Sequence, residues 1–235
     1  MDDLALTAPA RPVPTPQRPL LGLTVLVVED SRFASEAMRL LCLRSGARIR
    51  RADCIASARR HMSTYRADVA IVDLGLPDGS GLTLIEKLAA ATPRPEAILA
   101  TSGVDRAAAE SAALAAGADG FLPKPVESIA AFQQTVLSYL PADRRPTGLR
   151  EVSTETVQPD RLAMVEDLTY AEHLLEKEGV APDFIAGFLQ GLARTGKDDV
   201  MLAQARDLVR AGRGADIRPG LRALIEARKA ERRVV

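Results

Sequence analysis

Cysteine is scarce in this sequence. Cys42 and Cys54 are the only two in 235 residues, too few for a disulfide framework. Cys42 lies in an apolar run and reads as a small core hydrophobe. Tryptophan is absent and aromatics make up 3% of the chain, which leaves no stacking platform for single-stranded nucleic acid. Neither sign of charge is in excess: 31 Lys+Arg face 31 Asp+Glu, which excludes a protein held on nucleic acid by bulk electrostatics. No apolar run reaches the about 20 residues that a membrane-spanning helix needs. The N-terminus has no basic region followed by an apolar stretch, so no signal peptide is expected. These absences point to a reduced, cytoplasmic protein away from membranes. What is present, 47% hydrophobic and 26% charged residues, suits a globular chain. At roughly 100–200 residues per domain, the length suits one large domain or a medium one with an appendage.

Residues 1–20 carry Pro9, Pro12, Pro14, Pro16 and Pro19. Proline at that density removes amide donors and favours extended backbone, so a disordered leader is expected there. From Leu23 to about Leu140 short β-branched runs alternate with helical stretches. Thr24–Val28 is continuously apolar, as a strand buried on both faces of a parallel sheet should be. Further strands are expected at Ala47–Arg51, Asp68–Asp73, Ala97–Ala100 and Gly120–Leu122. Helices are expected after Asp30 up to about Gly46, at Ile55–Tyr65, around Leu82–Leu88, from about Asp105 to Ala116, and at Val126–Leu140. Gly117 is placed to end the fourth helix in the left-handed conformation. This alternation predicts an α/β, doubly wound, five-stranded parallel sheet over residues 21–140. Right-handed crossovers put all strand C-termini on one edge, where ligands of such folds bind.

Pro141 to Pro159 reads as a linker, with Pro146, Gly148 and several Ser and Thr. Residues 160–235 then read as a smaller all-α domain. Leu162, Val165, Leu168, Leu174 and Leu175 mark one helix face. Phe184, Ile185, Phe188, Leu189 and Leu192 mark a second, with Asp183 as its expected N-cap. Val200, Leu202, Leu208 and Val209 mark a third, and Leu221, Leu224 and Ile225 a fourth. Gly179, Gly196 and Gly212-Arg213-Gly214 separate them.

The ligand-binding edge is rich in acids. Glu29 and Asp30 follow the first strand, and Asp73 ends the third. Three converging carboxylates are costly unless a cation neutralises them or one takes up a proton. A hard divalent ion with oxygen ligands, Mg²⁺ foremost, meets that need. Thr101-Ser102 at the end of the fourth strand adds hydroxyls, and Lys124, after the fifth strand, adds an ammonium. A carboxylate nucleophile, a metal site, a hydroxyl and an ammonium are the parts needed to move a phosphoryl group onto an aspartate. Each signal has an ordinary explanation, since an Asp ending a strand is often a cap and Lys-Pro a common loop dipeptide. Their joint placement after four strands of one sheet is what carries weight.

These residues resemble the receiver domain of two-component response regulators. The resemblance rests on Val25-Leu26-Val27-Val28-Glu29-Asp30, Asp73-Leu74-Gly75-Leu76-Pro77-Asp78-Gly79-Ser80-Gly81, Ala100-Thr101-Ser102-Gly103 and Gly117-Ala118-Asp119-Gly120-Phe121-Leu122-Pro123-Lys124-Pro125. It covers residues 22–140, about half the chain. It implies a flavodoxin-like fold with Asp73 as phosphoacceptor, Asp30 as direct Mg²⁺ ligand and Glu29 as the outer acid. Asp73 itself and the backbone carbonyl of Gly75 would complete the metal set. Lys124 would bind the phosphoryl group, with a cis bond to Pro125. Ser102 is the expected switch hydroxyl, with Thr101 as the alternative. Phe121 holds the aromatic position, often Tyr, that swings inward on activation; Phe can rotate but cannot donate a hydrogen bond, and an ordinary core aromatic is the other reading. Phosphorylation, worth about two negative charges, would draw Ser102 toward the new oxygens and remodel the face made by the fourth helix, fifth strand and fifth helix. The implied phosphodonor is a sensor histidine kinase or a histidine phosphotransfer protein.

The C-terminal half is plainer. Residues 141–235 hold 16 Lys+Arg and 16 Asp+Glu, counted along the sequence. They show no helix-turn-helix, winged-helix or cyclic-dinucleotide motif, and no nucleophile–base or metal constellation. The run Arg218, Arg222, Arg228, Lys229, Arg232 and Arg233 reads as a solvated helix end, with nucleic-acid contact as the alternative. His173 raises a histidine-phosphotransfer alternative, but Lys177 follows it at four residues rather than three and no small residue exposes the imidazole. The leading expectation is a protein-binding or dimerisation module under receiver control, with phosphorylation-dependent homodimerisation open to it. In the resting state its apolar faces would pack on the remodelled receiver face and be released by phosphorylation. The runner-up is a transcriptional regulator with an atypical DNA-binding half. No enzymatic output is expected beyond the receiver's own phosphorylation and dephosphorylation.

Overall fold

The computed structural model describes residues 12–103, 106–147, 153–212 and 216–233. The proline-rich start through Arg11, Asp105 at the head of the fourth helix, Gly148 of the linker and Arg213-Gly214 lie outside the described residues, as do the side chains of Arg232 and Arg233.

Three apolar runs make the centre of a parallel sheet: β1 (Thr24–Val28), β3 (Val69–Asp73) and β6 (Ala97–Ser102), with β3 and β6 buried along their whole length. β2 (Arg48–Ala52) and β7 (Gly120–Pro123) flank them, in the order β2-β1-β3-β6-β7. β2 is an edge strand, and its exposed Arg48, Arg50 and Arg51 are the charges that keep such an edge from pairing further. The order reverses direction at β1 and β3, so the crevice outside their C-terminal ends is the switch point where this architecture binds ligands. A two-residue hairpin, β4 (Gly75–Leu76) with β5 (Gly79–Ser80), lies in the loop after β3.

The sheet is covered on both sides. α1 (Arg32–Arg44) and α5 (Ile129–Tyr139) close one core with Val25, Val27, Ile71 and Leu99; α2 (Ile55–Thr64), α3 (Gly81–Ala89) and α4 (Arg106–Ala115) close the other with Leu26, Val28, Val72 and Ile98. Alternate residues of one strand thus feed opposite cores. Every strand and helix expected in this half is present, with small shifts at the ends. The fifth helix starts later than expected because Ser128 caps it, accepting from the Ala131 amide. Gly117 ends α4 at φ +98. Leu20, at the end of the proline-rich stretch, is fully buried, and its amide donates to the Ser45 carbonyl.

The stretch read as a linker is fastened to the sheet domain. Arg144 pairs with Asp68 and Glu96, Glu155 pairs with Arg44, and Val157 is buried with its amide on the Glu127 carbonyl. Beyond it, α6 (Arg161–Glu176), α7 (Pro182–Thr195), α8 (Asp199–Ala211) and α9 (Arg218–Arg233) pack around Leu168, Ile185, Leu189, Met201 and Leu221. The four helices correspond to the four apolar faces read from the sequence. Asp183 is not the cap of α7: Ala181 holds that place with Pro182 at the first helical position, and Asp183 sits in the first turn, where its charge complements the helix dipole. Among the described residues no helix is long and apolar enough to cross a membrane.

The basic run in α9 is solvated only in part: among its described side chains Arg222 is exposed, but Arg218, Arg228 and Lys229 are not. Arg228 is 6% exposed and pairs with Asp198 and Glu231, Lys229 pairs with Glu172, and Arg218 donates to the Leu175 and Val180 carbonyls. These three cations tie α9 to α6 and α8.

Candidate functional site

The loop after β1 delivers Glu29 and Asp30 to the switch point, the end of β3 delivers Asp73, and the loop after β7 delivers Lys124. Carboxylate oxygens of Glu29, Asp30 and Asp73 lie within 4.8 Å of one another. The Lys124 Nζ sits 2.5 Å from Asp73 Oδ2 and 2.6 Å from Glu29 Oε2, with its side chain 6% exposed. The Gly75 amide donates to Asp73 Oδ1 at 3.2 Å, which fixes the carboxylate from the other side. The Lys124–Pro125 bond is cis.

One ammonium cannot balance three carboxylates. Burial raises the Glu29 pKa well above the usual carboxylate range, with Lys124 opposing and Asp73 and Asp30 adding to it. Asp30 is pushed up to about 7, first by burial and then by the charge of Asp73. Burial works against the charge on Lys124, but Asp73 and Glu29 outweigh it and its pKa rises. Among the described residues Asp30 Oδ2 is buried without a hydrogen-bond partner. An orphaned hard oxygen, two acids held back from ionising, and a third within reach are what a divalent cation with oxygen ligands would satisfy, so the donor set fits Mg²⁺.

A cavity of about 250 Å³ opens over this cluster. Ser102 lines it, whereas Thr101, one residue earlier on β6, faces elsewhere and leaves its buried Oγ1 unbonded. Phe121 is buried in the core shared by α4 and β6, at 5% exposure. His173 stands on the exposed side of α6.

Sequence profiles place this geometry. The response regulator receiver domain matches residues 25–135. This stretch is a receiver domain. The KDP operon transcriptional regulatory protein KdpE of Escherichia coli is 32% identical over 145 residues, which cover 62% of this chain and 59% of that protein. A protein-glutamate methylesterase/protein-glutamine glutaminase of Vibrio parahaemolyticus is 29% identical over 153 residues, 59% of this chain and 41% of its own length. A crystal structure of a two-component response regulator from Clostridium difficile aligns with 50% of this chain and 94% of its own at 20% identity, with a TM-score of 0.46. The similarity thus spans 59% and 41% of the length of these two curated relatives, less than two thirds of either. Receiver domains bind Mg²⁺ at an acidic pocket and take phosphoryl groups from histidine kinases. This receiver domain holds a buried cluster of acids, Glu29, Asp30 and Asp73.

The far wall of the cavity is a surprise. Phe184, Gly187, Phe188, Gly191 and Leu192 of α7 line it opposite the acids. The helical bundle sits on α1 and across the mouth of the site, rather than on the face of α4, β7 and α5 where its apolar faces were expected. Asp167 of α6, 1% exposed, explains the position: its Oδ2 accepts from Ser31 Oγ at 2.7 Å and the Phe33 amide at 3.0 Å, and its Oδ1 accepts from the Arg32 amide at 2.8 Å. The first turn of a helix leaves its amides unpaired and carries positive dipole, so α1 offers an anion site that α6 fills. Phe33 of α1 is buried with the bundle's own core residues. Nothing in the local sequence around Asp167 marks it, because its partners lie more than 130 positions away. The i, i+4 glycines of α7, Gly187 and Gly191, were the available signal: two on one helix face leave that face without side chains.

Proposed function

We propose that the protein is a phosphorylation-controlled response regulator that accepts a phosphoryl group on Asp73 and signals to a protein partner through its helical half, residues 160–235. The observation that carries this reading is the grip of Lys124 on Asp73 and Glu29, with Asp30 beside them, at the switch point of the sheet. A carboxylate oxygen of Asp73 attacks phosphorus of a phosphohistidine donor, the P–N bond breaks, and the imidazole leaves with the bonding pair. Lys124 and the Gly75 amide hold the carboxylate in place for this attack, and Lys124 stays to pair with the new phosphoryl oxygens. Glu29, Asp30, Asp73 and the Gly75 carbonyl would hold Mg²⁺, which when bound offsets charge on the transferring group. Ser102, facing the same cavity, is the hydroxyl placed to follow the phosphoryl group; Phe121 is the aromatic that would move with it.

We assign the protein to the cytoplasm, with a histidine kinase or phosphotransfer protein as donor. The domain limits that accompany this reading are 21–140 for the receiver and 141–159 for its tether. Intact mass after incubation with Mg²⁺ and a small phosphodonor tests it. Wild type is expected to gain about 80 Da, one phosphoryl group, and Asp73→Asn to gain nothing. An equal gain in both would place the acceptor elsewhere and overturn the assignment.

A further inference from the structure

The helix that covers the phosphoacceptor site has an unusual face. Gly187, Gly191 and Arg194 are spaced by four and three residues, so they share one side of α7. A Cβ added to Gly187 or Gly191 would meet nothing within 4 Å. The two glycines therefore leave space beneath α7 rather than filling it with side chains. The resulting cavity, about 250 Å³, has room for several waters at about 30 Å³ each, and so for a phosphoryl group on Asp73 with α7 still in place. At the rim the packing is tight. A Cβ on Gly103 would stand 3.0 Å from the Gly191 Cα, so the loop after β6 meets the helix backbone directly.

Arg194 does not line the cavity itself but packs behind Gly103, which does. Its Nη1 lies 3.6 Å from where a Gly103 Cβ would be, beside the segment that carries Ser102. That nitrogen is buried and, among the described residues, has no hydrogen-bond partner. Buried donors are almost always satisfied, and an orphan asks for an acceptor that arrives later. Guanidinium is the side chain best matched to a phosphoryl oxyanion, by charge and by its fork of donors. Burial, and then the charge of Arg206, hold the Arg194 pKa down, so an incoming anion would relieve a cost already present.

We propose that Arg194 is a phosphoryl ligand contributed by α7, so that phosphorylation of Asp73 clamps the helical bundle onto the receiver instead of releasing it. This rests on Asp73 being the phosphoacceptor, and it reverses the release on phosphorylation expected from the sequence. The bundle then reads the phosphoryl group directly, through a contact made at the site itself.

Full-length protein with Mg²⁺ and beryllium fluoride, a phosphoryl mimic, provides the test. Two quantities are read: the affinity for beryllofluoride, and hydrogen exchange at the Arg32 and Phe33 amides, which Asp167 holds across the interface. In wild type, loading is expected to slow exchange at both amides severalfold. Arg194→Gln is expected to bind beryllofluoride roughly tenfold more weakly and to show no slowing, with Arg194→Lys recovering part of each. Exchange that quickens on loading means the bundle is released and overturns the proposal. Arg194→Gln that binds and protects as wild type does overturns it too. Should Arg194→Gln fail to fold, the direction of the wild-type change still decides. No beryllofluoride binding by wild type would overturn the phosphoacceptor reading itself, and this inference with it.

Discussion

Asp167→Ala is the substitution that most directly probes how the two halves are joined. The carboxylate accepts three hydrogen bonds at 2.7–3.0 Å from the first turn of α1, and two of the donors are backbone amides with no helical partner. Hydrogen bonds to a charged group contribute about 1.5–3 kcal/mol each, and a lost N-cap costs roughly 1 kcal/mol. Against this stands the cost of burying the carboxylate, which raises its pKa despite the Phe33, Ser31 and Arg32 contacts. The balance leaves about 3 kcal/mol for removing the side chain, since Ala leaves the amides unpaired and returns the desolvation cost. If that free energy holds the bundle in place, docking weakens by roughly two powers of ten, at 1.4 kcal/mol per tenfold. Exchange at the Arg32 and Phe33 amides should quicken by a similar factor, and limited proteolysis should cut between the two halves. Asp167→Asn keeps one acceptor oxygen and should fall between the two. An Asp167→Ala protein with wild-type exchange at those amides and an unfolding free energy in urea within about 0.5 kcal/mol of wild type would refute the reasoning.

Further expectations follow from the site. Asp30 and Glu29 have raised folded pKa values, so between about pH 4 and 7 the folded state holds more protons than the unfolded one and stability falls as pH rises. In chelator, denaturation midpoints should therefore decline over that window, and a flat profile would count against the cluster's electrostatics. Mg²⁺ should restore the loss near neutral pH, by about 2.7 kcal/mol at a hundredfold excess over its Kd, and Asp30→Asn should remove most of that gain. Lys124→Met removes the cation from the carboxylates; the expected loss is about 2–4 kcal/mol at pH 8 and less at pH 5.5, where the acids can take up protons. Gly81→Ala would drive a methyl group into the backbone carbonyl of Asp73, so a loss of about 1–3 kcal/mol is expected, together with impaired phosphorylation in the mass assay.

Much of the receiver half is legible in the chain because its signals are local. Val25–Val28 and Val69–Val72 announce buried strands by composition alone, and the acids that end them are adjacent in sequence to the strands that place them. The alternation of strand and helix then dictates a parallel sheet, and a parallel sheet dictates a single catalytic edge. Ser102 and Thr101 could not be separated that way, because the choice depends on which side of β6 faces the cavity. Four helices were legible in the C-terminal half from their apolar spacing, but not their destination.

That destination is a property of the folded surface. Asp167 finds Ser31, Arg32 and Phe33 only once α1 has formed and left its first amides open. Arg228 and Lys229 look like a basic tail in sequence and become internal ties once Asp198 and Glu172 are beside them. Gly187 and Gly191 read as weak points in a helix until α7 lies over the acids, where the missing side chains make room. The sequence alone determined the sheet, the acidic edge and the presence of a helical half, since each depends on periodicity or on neighbours along the chain. Only the tertiary structure decided that the helical half closes over the acidic site. That outcome depends on complementary groups more than a hundred residues apart, and they leave no pattern in either stretch by itself.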